Sequence, residues 1–70
     1  MSWPDDKFNV YLSALGLPAT KENQVPLDGF GAWQLAQDCT QRVAITEVVI
    51  IVDNDDTVCF HWKEGKVLFP

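Results

Sequence analysis

The chain has 70 residues, of which 47% are apolar, and ten acidic against five basic residues leave it a net charge of −5. That length suits one compact domain over residues 1–70; it excludes a multidomain enzyme and leaves little core from which a deep cleft can be taken. The acidic balance is unfavourable for gripping a nucleic-acid backbone through its phosphates.

Three Trp, one Tyr and four Phe supply enough apolar surface to offset the entropy of ordering, so the chain is expected to fold rather than stay disordered. The longest apolar run, residues 48–52, is far too short for a membrane span. No basic stretch followed by an apolar one opens the chain, so a soluble, cytosolic protein is the expectation. Cys39 and Cys59 can form at most one bridge, and two free thiols are the natural reading.

Ser2, Pro4, Asp5 and Asp6 resemble a helix start with acids at the positive end of the dipole. Phe8, Tyr11, Leu12 and Leu15 recur at i, i+3, i+4 and i+7, which predicts one apolar helical stripe ended by Gly16 and Pro18. Trp3 precedes the stripe and is expected to be exposed. Residues 19–27 read as a polar loop closed by Val25-Pro26.

Asp28 is set to cap a second helix running to Arg42, with Gly29 and Gly31 explained by close packing at its start. Its inner side would carry Ala32, Leu35, Ala36, Cys39 and Val43, beside Phe30 and Trp33. From Ile45 the chemistry changes to Ile, Val and Thr, which predicts a strand over 45–52. A turn at 53–56 follows, and Val58, Phe60 and Trp62 then alternate as the buried side of another strand. Glu64-Gly65 fits a two-residue hairpin that sets Trp62 opposite Val67 and Phe60 opposite Phe69. The predicted fold is α+β, with two N-terminal helices on one face of an antiparallel three-stranded β-meander, ααβββ.

Two helices cover one side of such a sheet, and either register of the first hairpin leaves apolar residues outside. In one register the outer face carries Val49, Ile51, Cys59, His61 and Leu68; in the other Val48, Ile50 and Val52 replace Val49 and Ile51. An uncovered apolar face of this kind marks a contact surface. Asp53, Asp55 and Asp56 form an acidic hairpin tip able to steer the chain onto a basic surface.

The remaining constellations are weak carriers of chemistry. Cys39, Cys59 and His61 give three zinc-type ligands without the paired cysteine spacing of structural zinc sites. Cys59 and His61 as a thiol enzyme pair lack a visible orienting acceptor. Asp53, Asp55, Asp56 and Glu64 echo a calcium loop but put Val58 where such a loop needs glycine. The aromatics come without the basic groove of a stacking platform. These points favour a non-catalytic protein-binding module without cofactor, of the inhibitor type found in immunity and anti-defence, which blocks a basic functional surface. Its contacts would be Val49, Ile51, His61 and Leu68 with Asp53, Asp55 and Asp56. The alternatives are a homodimeric accessory subunit paired through its sheet face, and a small metal or thiol enzyme using Cys59 and His61.

Overall fold

A computed structural model describes residues 6–54 and 56–69. The helix start read at Ser2, Pro4 and Asp5, the exposure of Trp3, and Asp55 lie outside the described residues. The elements follow the order β1 (Phe8–Ala14), β2 (Thr20–Lys21), α1 (Gly29–Thr40), β3 (Ile45–Val52), β4 (Val58–Lys63) and β5 (Lys66–Phe69). They make one five-stranded antiparallel sheet in the order β2-β1-β3-β4-β5 with a single helix on one side.

This overturns the expected pair of N-terminal helices on a three-stranded meander. The segment read as the first helix is β1, because Phe8, Val10 and Leu12 also alternate with period 2 and find a place beside β3. Phe8 pairs with Val52 and Leu12 with Val48, so both face the helix, whereas Tyr11 pairs with Val49 on the other face. Leu15, expected in the same buried stripe, is 88% exposed in the following turn. Gly16 serves that turn with φ 79° rather than ending a helix, and the Leu17 N–H donates to the Ala14 carbonyl at 3.0 Å.

The loop expected over 19–27 in fact runs along the outer edge of β1. After β2, the Glu22 N–H donates to the Val10 carbonyl at 2.8 Å, and Phe8 and Leu27 exchange bonds of 2.7 and 2.8 Å. Between these points the backbone bows out and the Asn23 side chain fills the gap. Its Oδ1 accepts from the buried Val10 N–H at 2.7 Å, and its Nδ2 donates to the Val25 carbonyl at 2.8 Å and to Asn9 Oδ1 at 3.2 Å. A buried amide left without such a partner is costly, which is why an Asn sits here.

The helix begins as the sequence indicates: Asp28 is extended, and its carboxylate accepts from the Gly31 N–H at 2.7 Å. A Cβ on Gly31 would stand 3.0 Å from that carboxylate oxygen and 3.6 Å from Leu27 Cβ, so the crowding behind this glycine comes from the helix's own cap. The helix ends at Thr40 with Gln41 as its cap, two residues short of Arg42. Val43 is fully exposed and Phe30 largely so, leaving Ala32, Ala36 and Cys39 as the buried face. Arg42 ties the helix end to the edge segment, bridging Asp38 and Glu22 at 3.1 Å each.

The core lies between α1 and the inner face of the sheet: Phe8, Val10, Val48, Ile50 and Phe60 meet Ala32, Ala36 and Cys39, with Leu12, Trp33, Val52 and Trp62 around them. Small helix residues let the helix settle close over β1 and β3, against which it packs. Trp33 reaches further and meets Phe60 edge-on, with ring centroids 5.1 Å apart at 87°. A helix about 10 Å across spans two strands about 4.8 Å apart, so β5 lies beyond its cover. Among the described residues no helix is long and apolar enough to cross a membrane.

Candidate functional site

Strand β3 occupies Ile45–Val52 as its β-branched run indicates, and Val48 and Ile50 turn toward the helix opposite Trp62 and Phe60. Val49 and Ile51 therefore point to the other face, as in the first of the two registers. The strand register assembles that face in rows. At its centre Lys21, Tyr11, Val49, His61 and Phe69 stand side by side, one from each strand. Toward the 64–65 turn the next row is Ser13, Glu47, Lys63 and Lys66, and toward the opposite end Asn9, Ile51 and Val58.

Two bulges reshape what simple alternation predicts. One, between Ile50 and Ile51, pairs Ile51 with Val58 and skips Cys59. Val58 consequently leaves the side of Phe60, and Cys59 packs against the core cluster with its Sγ 3.8 Å from the Thr57 carbonyl. The other bulge, between His61 and Trp62, keeps Trp62 opposite Val67 but sets Phe69 opposite His61 instead of Phe60. Leu68 falls between these pairs and is 56% exposed. The turn joining β4 and β5 is the predicted two-residue type, with φ 49° at Glu64 and 86° at Gly65.

The histidine of this surface is paired with a carboxylate. His61 Nε2 lies 2.5 Å from Glu47 Oε2, both side chains half-buried. Cys59 is turned to the core side of its strand's bulge, so the structure does not present a Cys59–His61 pair on one face. Cys39 sits on the buried side of α1, and burial pushes its thiol above the usual range, with Arg42 opposing and Glu22 and Asp38 adding to the rise. Among the described residues no group of three or more His, Cys, Asp or Glu is placed to hold a metal ion.

At the acidic end, Asp53 accepts from Asn9 Nδ2 at 2.6 Å, and its N–H donates to the Lys7 carbonyl at 2.9 Å. Asp56 has φ 56° and closes the turn with its N–H on the Val52 carbonyl at 3.2 Å. Asp53 thus anchors the turn to β1 through a relay of Asn23, Asn9 and Asp53 side chains. Sequence reading missed this relay, because Asn9 and Asn23 sit in what read as a helix and a loop; their only signal was two asparagines flanking apolar positions.

Both signs of charge meet at the 64–65 end of the sheet, where Glu47 stands in register with Lys63, and Glu64 lies in the turn between Lys63 and Lys66. Lys63 and Lys66 face each other as a cross-strand pair at one end, while Asp53 and Asp56 occupy the turn at the other. Cross-strand like charges repel unless an anion stands near, and Glu47, in register with Lys63, is such an anion. The helix covers the inner face, so the row of Tyr11, Val49, His61 and Phe69 and the β5 edge form the apolar surface left on the outside. A scan against protein-family models finds no match to this chain, and searches of curated proteins and of solved structures find none either.

Proposed function

We propose that this chain is a non-catalytic protein-binding module that uses the face of the sheet opposite the helix. The observation that carries the reading is the in-register row Tyr11, Val49, His61 and Phe69, continued by Ile51, on the face that α1 does not cover. A flat surface with aliphatic and aromatic centre and charged borders has the anatomy of a contact patch. His61 Nε2 is paired with the Glu47 carboxylate while Cys59 packs against the core cluster, which supports a contact role for this face over a paired thiol–imidazole site. With the chain at −5, the partner class it suits is a protein with a basic surface, met by the Asp53 and Asp56 end while Val49 and Ile51 supply the apolar anchor. Blocking that basic surface is the inhibitory form of this function.

The test pairs the wild-type chain with a Val49→Asp/Ile51→Asp variant shown to be folded by circular dichroism. A protein captured from the source cells by the wild type is purified and titrated against both. Binding weakened at least about tenfold in the variant, the effect of losing about 1.4 kcal/mol of apolar contact, supports the reading; equal binding refutes it. Should the variant unfold, Tyr11→Ala serves in its place.

A further inference from the structure

We draw no further inference here: the strongest candidate, the exposed apolar edge of the sheet formed by Val67, Leu68 and Phe69 of β5, carries nothing because nothing in the structure shows what covers it.

Discussion

Replacing Asn23 with Ala removes the side chain that stands in for a missing stretch of edge strand. Val10 is fully buried, and its N–H donates to Asn23 Oδ1 at 2.7 Å. Without that acceptor a buried donor goes unsatisfied, at a cost of about 1–3 kcal/mol, and losing the 2.8 Å bond to the Val25 carbonyl adds about 1 kcal/mol. The expected destabilisation is about 2–4 kcal/mol, the lower end applying when a water enters the space. A chain of 70 residues at about 0.05–0.15 kcal/mol per residue has about 4–10 kcal/mol in all. The variant should therefore melt about 8–32 °C lower, taking about 4–8 °C per kcal/mol for this size. Urea unfolding gives the free energy, and amide exchange gives the location: the Val10 amide should lose protection before those of β3. Asn23→Asp, which keeps an acceptor for Val10 but sets a buried carboxylate oxygen against the Val25 and Asn9 oxygens, should cost at least as much at neutral pH and recover as the pH is lowered and the carboxyl takes up a proton. A destabilisation of Asn23→Ala below about 0.5 kcal/mol would show that the Phe8–Leu27 backbone bridge alone holds the edge, and would refute the reasoning.

Three further outcomes follow from the helix. Below a thiol's ordinary value of about 8.5 both folded and unfolded Cys39 are protonated; above it only the unfolded thiol ionises, because burial raises the folded one. Stability should therefore fall with rising pH in that window, at up to about 1.4 kcal/mol per pH unit, and urea titrations should show the slope shrinking in Cys39→Ala. Asp28→Ala should cost about 1 kcal/mol by removing the cap on the Gly31 N–H. Gly31→Ala should then stabilise the Asp28→Ala background by about 1 kcal/mol but gain less in the wild type, where its Cβ meets the Asp28 carboxylate at 3.0 Å. Additive effects in that double-mutant cycle, read from urea midpoints, would refute the crowding argument.

The legible parts of the chain were those governed by local chemistry. The run of β-branched residues from Ile45 to Val52 specifies a strand whatever surrounds it, and Asp28 with its downstream apolar spacing specifies a helix start. Glu64-Gly65 likewise specifies a tight hairpin, because both residues take positive φ. Val49 and Ile51 could be read as a pair sharing one face, since alternation along a strand is a local property.

Long-range contacts decided the rest. The residues of β1 satisfy a helical stripe and a strand alternation alike, and what selects the strand is the vacant edge of β3, formed more than thirty residues later in the chain. Which face Val49 and Ile51 occupy depended on β4, and the bulges that move Cys59, Val58 and Phe69 off their expected sides are settled only when strands are paired. The Asn9, Asn23 and Asp53 relay belongs to the same class, because its members come from three distant segments. Local sequence determined that strands, turns and one helix start exist and where; tertiary structure alone determined which neighbours they bond to, because a backbone donor is indifferent to the identity of its partner and answers only to its position.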